Sequence, residues 1–347
     1  MNTRFDARIN DIKKATQLSG RLNLRPAIYI AAAIVSCLWF TSSSNGAQQT
    51  NMGQWLIESL PESSMVDMTL RYGATKKISG GQVFRNTNSF RVGLDHLQGL
   101  LNSQMASDGA QVKFQLVRDA GTFNCEGWFK GGRGAGDFAF TPNRNFISEL
   151  SGRGIDKPTD EEQFYLAAHD VGLEFIDELR AQDYERPTSA QLVRLGTHGV
   201  RPTYIRELKG LGYQVKSVDL LIRMVDHGVS TNFVKDLAAA GYMKESPEQM
   251  IRAVDHGVSS SFLKEFSALV YEGVPLETLI RMIDHGVTPK FIRELEPLGY
   301  KRIPIDQLIR LRNAGVTPSY IQRLKNRGLN NLTVEELIRL RNQGVID

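Results

Sequence analysis

The spacing of hydrophobic residues along this chain changes its period. Between residues 60 and 150 the period is two. Val66, Met68, Leu70 and Tyr72 alternate with Asp67, Thr69 and Arg71, and Val112, Phe114 and Leu116 alternate with Lys113 and Gln115. Phe123, Cys125, Gly127 and Phe129 alternate with Asn124, Glu126 and Trp128, and Phe138 and Phe140 close the series. Such alternation marks strands with one buried face, and Gly, Asn and Asp turns separate the runs, so a small antiparallel β domain is expected over 47–150. Within 90–105, Leu94, Leu97, Leu100 and Leu101 fall at helical spacing and predict a helix or loop between strands. The glycine-rich stretch 131–136 has neither GxGxxG nor GxxxxGK[ST] spacing and lies between two strands, so it reads as a hairpin loop rather than a phosphate cradle.

From residue 159 the pattern becomes a repeat. Valine recurs at 171, 200, 229, 258, 287, 316 and 345, every step being 29 residues. An aromatic column follows at Phe175, Tyr204, Phe233, Phe262, Phe291 and Tyr320. A second runs through Tyr184, Tyr213, Tyr242, Tyr271 and Tyr300 to Leu329, and an apolar column through Leu192, Leu221, Met250, Leu279, Leu308 and Leu337. No gap is needed, which makes internal repetition the strongest signal in the chain.

Each unit contains two short helices. The first starts at Thr159, Thr188, Ser217, Ser246, Pro275, Pro304 or Thr333, and capping boxes are expected for Thr159 with Glu162, Thr188 with Gln191, Ser246 with Gln249 and Thr333 with Glu336. It ends at Gly199, Gly228, Gly257 or Gly286, each suited to the left-handed position that stops a helix. Thr288-Pro289 and Thr317-Pro318 open second helices, which end near Gly212, Gly241, Gly299 and Gly328. Helices of about ten residues are marginal alone, so stacking must stabilise them. The expected fold class is α+β: a small antiparallel β domain followed by an α-solenoid of 29-residue helical hairpins, with six repeats over 159–332 and a half repeat to the end at 347.

The units, for example LIRMIDHGVTPKFIRELEPLGY at 279–300, resemble the "GVTPEFI-ELKALGY" helical repeats of bacterial envelope proteins. Some of those repeats lie C-terminal to BlaR/MecR-type antirepressor metallopeptidase domains. The stretch AGTFNCEGWFKGGRGAGDFAFTP at 120–142 is similar to the β segment that often precedes them. The likeness implies an architecture. The peptidase activity does not carry over, because no HExxH occurs in this chain.

Two polar columns run through the units. Five histidines, His169, His198, His227, His256 and His285, occupy one position in the last turn of the first helix, where the imidazolium form favours the helix dipole. Neighbouring helices lie about 8–10 Å apart, too far for two rungs to share a zinc ion at about 2.0–2.1 Å, so a metal ladder is not expected. A pH-responsive role is the other functional reading. Arg194, Arg223, Arg252, Arg281, Arg310 and Arg339 form the second column. Asp219, Glu248, Glu277, Asp306 and Glu335 stand four residues before all but the first of these, predicting an ion pair within each helix rather than an anion-binding face.

Composition is ordinary, with 41% hydrophobic and 23% charged residues. The net charge of +4 is unevenly spread: residues 1–46 hold six basic and two acidic residues, 47–158 hold 12 and 10, and 159–347 hold 24 and 26. A basic domain for nucleic acid is therefore not indicated. The first unit, 159–187, has nine acidic and two basic residues, whereas 304–347 has seven basic and four acidic. Opposite charge at the two ends suggests head-to-tail self-association or two different partners.

The first 46 residues read as a targeting segment. A basic stretch ends at Arg25-Pro26, an apolar run covers 27–41, and small residues follow at 42–47. A cleaved secretory signal, a retained inner-membrane anchor and a lipoprotein signal at Cys37 all fit, and all three place the rest of the chain outside the cytoplasm, in the periplasm or envelope. Cys125 would be alone after cleavage and reads as a small buried residue. No catalytic, cofactor-binding or metal-binding constellation is identified. The function expected is that of a non-enzymatic exported protein whose helical repeats bind a protein or peptide partner. The alternative is an envelope sensor or regulator working with a separate antirepressor-type peptidase.

Overall fold

Among the described residues, seven antiparallel strands form one sheet in the order β3-β2-β1-β7-β6-β5-β4. They are β1 (Met52–Ser59), β2 (Met65–Ile78), β3 (Gly81–Gly93), β4 (Leu97–Gln98), β5 (Asp108–Arg118), β6 (Gly121–Lys130) and β7 (Arg133–Pro142). The structure, a computed structural model, describes residues 52–345 other than 61–62, 79–80, 244 and 270. The targeting segment and Cys37 lie outside the described residues. No helix among the described residues is long and apolar enough to cross a membrane.

The alternating residues point to one face. Trp55, Ile57, Met68, Leu70, Phe114, Leu116, Phe123, Cys125, Phe129 and Phe138 are all buried there. Each such side chain removed from water contributes about 1.5–3 kcal/mol. The sheet curls, so that the Arg118 guanidinium at the end of β5 lies 5.6 Å from the centre of the Phe90 ring on β3.

Tight backbone contact at the middle of the sheet explains its glycines. Gly127 pairs with Gly136 across β6 and β7. A Cβ on Gly136 would lie 2.0 Å from the Glu126 carbonyl oxygen, and one on Gly127 would lie 2.6 Å from the Trp55 ring. Trp55 fills the space left by the missing side chains and donates its indole N–H to the Glu126 carbonyl at 3.1 Å. The expected loop at 131–136 is therefore smaller than the glycine run suggests. Only Gly131 and Gly132 form the left-handed turn, at φ 56° and 80°, and Arg133 onward belongs to β7.

Residues 90–105 also differ from expectation. Phe90 lies in β3, 94–96 form a single 3-10 turn, β4 pairs with β5, and only Asn102–Met105 form a short helical turn. Leu97 and Leu100 are buried in the sheet core, whereas Leu101 is exposed. Gly99, at φ 93°, breaks any continuous helix between them.

Fourteen α-helices follow β7 among the described residues: α1 (Arg144–Gly152), α2 (Asp160–Ala168), α3 (Leu173–Ala181), α4 (Ser189–Thr197), α5 (Pro202–Gly210), α6 (Val218–Asp226), α7 (Thr231–Ala239), α8 (Pro247–Asp255), α9 (Ser260–Ser267), α10 (Leu276–Asp284), α11 (Pro289–Leu295), α12 (Ile305–Asn313), α13 (Pro318–Asn326) and α14 (Val334–Asn342). The four capping boxes form as expected at Thr159, Thr188, Ser246 and Thr333. Gly199, Gly228, Gly257 and Gly286 take positive φ at the ends of first helices, and Gly212, Gly241, Gly299 and Gly328 at the ends of second helices. The first unit has Asp170 and Asp183 in those roles, at φ 58° and 57°.

Helices two apart in sequence pack on one another. In one row α2 touches α4, α4 touches α6, α6 touches α8, α8 touches α10, and α12 touches α14. In the other, α3, α5, α7, α9, α11 and α13 follow in order. The sheet joins the first unit. Phe164 of α2 enters the sheet's aromatic core, with ring centres 5.0 Å from Tyr72, 5.7 Å from Phe123 and 5.3 Å from Phe140. Buried Gln163 donates to the Ala120 and Asn143 carbonyls, both at 2.8 Å. Gln49–Asp347 accordingly form one compact unit.

Candidate functional site

The polar columns connect successive units. Three histidines that cap first helices each meet an aspartate 28 residues later: His198 Nδ1 lies 2.6 Å from Asp226, His227 Nδ1 2.7 Å from Asp255, and His256 Nδ1 2.8 Å from Asp284. His285 meets Asn313 at 2.9 Å in the same way. The ladder thus does more than cap its own helices: each rung ties one unit to the next.

His169 is the exception in the column. It lies at the end of α2 against the sheet, where its Nε2 is 3.1 Å from the Tyr72 hydroxyl. Burial, helped by the nearby Arg201 cation, pulls its pKa down to about 4, so the ring is neutral at pH 7. Burial and then the neighbouring Tyr165 push the Tyr72 phenol up to about 12. Asn86 and Asn88 of β3 complete this junction, donating to the Tyr165 hydroxyl at 3.3 Å and to the Ala168 carbonyl at 2.6 Å. Their polar side chains face α2 where the alternation would place apolar ones, which is why β3 has no visible strand pattern.

The arginine column corrects the expectation of pairing within each helix. Arg194 reaches Asp219 at 2.6 Å, Arg252 reaches Glu277 at 2.8 Å, and Arg281 reaches Asp306 at 3.1 Å, each 25 residues away. Arg310 holds Glu335 with two guanidinium nitrogens. The acid four residues before an arginine is engaged by the arginine of the preceding unit. Arg223 and Arg339 have no such inter-unit carboxylate among the described ion pairs. The rungs are about half exposed, so each contributes at most about 1 kcal/mol.

The second aromatic column serves the same coupling. The hydroxyls of Tyr242, Tyr271 and Tyr300 donate at 2.7 Å to the carbonyls of Val274, Ile303 and Leu332, each 32 residues on. Tyr204 and Tyr320 of the first column donate to the Val229 and Val345 carbonyls, 25 residues on, at 2.7 and 2.9 Å.

The acidity of the first unit is partly offset from outside it. Arg118 meets Asp170 at 2.8 Å, Arg153 meets Asp177 at 2.8 Å, and Arg206 meets Glu178 at 2.9 Å. Asp119, on the turn after β5, accepts from the Leu173 backbone N–H at 2.7 Å and caps α3, where Gly172 offers no side chain. Arg118 and Asp119, at the sheet end, carry no repeat signal, so nothing in the spacing could have revealed them, whereas the Arg206–Glu178 pair recurs 28 residues apart in Lys264–Asp236 and Arg293–Glu265.

At the basic end, a shallow hollow of about 340 Å³ lies between the starts of α11 and α13. Arg312 borders it, with its guanidinium 5.0 Å from the centre of the Phe291 ring. Cys125 is buried in the sheet, and burial raises its thiol pKa far above the usual range, which leaves it unreactive as a nucleophile. No family model, no curated protein and no solved structure matches this chain.

Proposed function

We propose that this chain is a non-enzymatic exported protein whose helices form an α-solenoid that docks a protein or peptide partner in the cell envelope. The observation that carries the reading is the packing of helices two apart in sequence on one another in two rows, with repeated His, Arg and Tyr side chains engaged between units. Side chains conserved from unit to unit are thereby accounted for by stacking, and what differs among units is left for recognition. Stacked helical hairpins present an extended surface, and binding is the role to which such a shape lends itself. The targeting features of residues 1–46 and the resemblance to envelope repeats support the location.

The test is affinity purification of the full chain and of a chain lacking 217–347. A cut at 159 would be uninformative, because it removes Phe164 from the sheet core. Partners recovered with the full chain and lost with the shorter one support the reading. The same partners recovered with both would overturn it.

A further inference from the structure

Where several units share a column, a departure confined to one unit marks something that stacking does not require. Such departures collect around α9. The column that reads Leu179, Leu208, Leu237, Leu295 and Leu324 has Phe266 here. The neighbouring units place Gly241 and Gly299 before their tyrosines, at φ 97° and 94°. The sequence has Val270 at the corresponding position.

A hollow of about 570 Å³ opens at these departures, between the ends of α7 and α9. Three of its lining residues are aromatic. Phe266 and Tyr271 stack with centres 5.9 Å apart, and Tyr242 lines the same space. The hydroxyls of Tyr242 and Tyr271 are tied to backbone carbonyls of the next unit, which fixes the rings, and Phe266, buried between the Phe262 and Tyr271 rings, supports Tyr271 from behind. Glu245 and Glu272 also line the hollow, and neither has an ion-pair partner among the described residues. Glu245 is close enough to Tyr242 to add to the effect of burial on its phenol.

We infer that this hollow binds a cationic side chain, arginine or lysine, presented by a basic segment of a partner protein. An anion would be repelled by the two carboxylates. An apolar group would strip them of water without pairing them. A guanidinium or ammonium answers both features, because it is attracted to aromatic faces and pairs with carboxylates. The inference rests on the docking role proposed above and names the chemistry that one part of the surface selects.

The experiment is calorimetric titration of the full chain with a blocked tri-arginine peptide in about 0.15 M salt, where long-range attraction between exposed charges is screened. Saturable binding is expected, with none for a blocked tri-glutamate peptide. Phe266→Leu places the residue found in the other units and removes the ring that supports Tyr271. This variant and the pair Glu245→Gln with Glu272→Gln should each weaken binding about tenfold. A control pair with the same charge change, Glu207→Gln with Glu248→Gln, should leave it unchanged. Absence of saturable binding, equal weakening by the control pair, or an unaffected Phe266→Leu variant would overturn the inference. Retention of natural partners by the hollow variants, together with their loss on removing 217–347, would overturn this assignment alone and leave the docking role standing.

Discussion

At the scale of single residues, the junction between sheet and helices holds one side chain whose ionisation can be read out, that of His169. His169 ionises in the folded chain only near pH 4, against an ordinary value of 6.5. The unfolded chain therefore binds more protons between these values, and stability rises with pH across the window. The contribution of neutral His169 is complete above pH 6.5 and is lost as pH falls toward 4; with allowance for its partial exposure it amounts to about 1–2 kcal/mol. Urea denaturation at several pH values should show this slope reduced in His169→Gln, and equal slopes in both proteins would refute the assignment. Gly136 offers a sharper test of packing. Its missing Cβ leaves room for the Glu126 carbonyl and the Gly127 backbone. Gly136→Ala should destabilise the sheet by about 3 kcal/mol, measured by the same denaturation. Gly152→Ala, where a Cβ would meet nothing, is the matched control and should be neutral or stabilising.

At the scale of elements, polar rungs and apolar columns make unequal contributions. Arg281→Ala removes an exposed bridge to Asp306 and should cost less than about 1 kcal/mol, a loss that shrinks in high salt. Leu279→Ala, in the fully buried column two residues earlier, should cost about 2–5 kcal/mol regardless of salt. Thermal melts of both variants at low and high salt would separate the two terms. This division also explains what the sequence made legible. Helix boundaries, capping boxes and the 29-residue phase follow from local chemistry and from columns of like residues, so they could be read directly. The arginine pairing could not, because an acid four residues before the arginine and another 25 residues after it are equally consistent with the spacing. β3 was hidden because Asn86 and Asn88 face a helix, and β1 because Gly53 interrupts its apolar positions at the close approach of Phe138. The hollow at α9 was visible only as an isolated exception, Phe266 in a column of leucines.

At the scale of the molecule, nearest-neighbour stacking makes a prediction about the chain as an assembly of units. If each unit recognises only those beside it, removing one complete unit should leave a chain that still stacks. Deletion of 217–245 joins Lys216 to Ser246 and preserves the 29-residue phase. His198, which meets Asp226, would then face Asp255; Arg194, which meets Asp219, would face Glu248; and the Tyr204 hydroxyl, which reaches the Val229 carbonyl, would face that of Val258. One bond has no replacement. Glu185 accepts from the Val218 backbone N–H at 2.9 Å, and the residue arriving there, Pro247, has no N–H to give. Deletion of 231–245 instead removes half a unit and sets every later column out of phase. Circular dichroism should show a cooperative melt for the first deletion, within about 10 °C of the full chain, and a broad transition or aggregation for the second. If both deletions fail alike, the order of the units is itself specified by contacts beyond nearest neighbours, with the sheet seated on α2 as their point of reference.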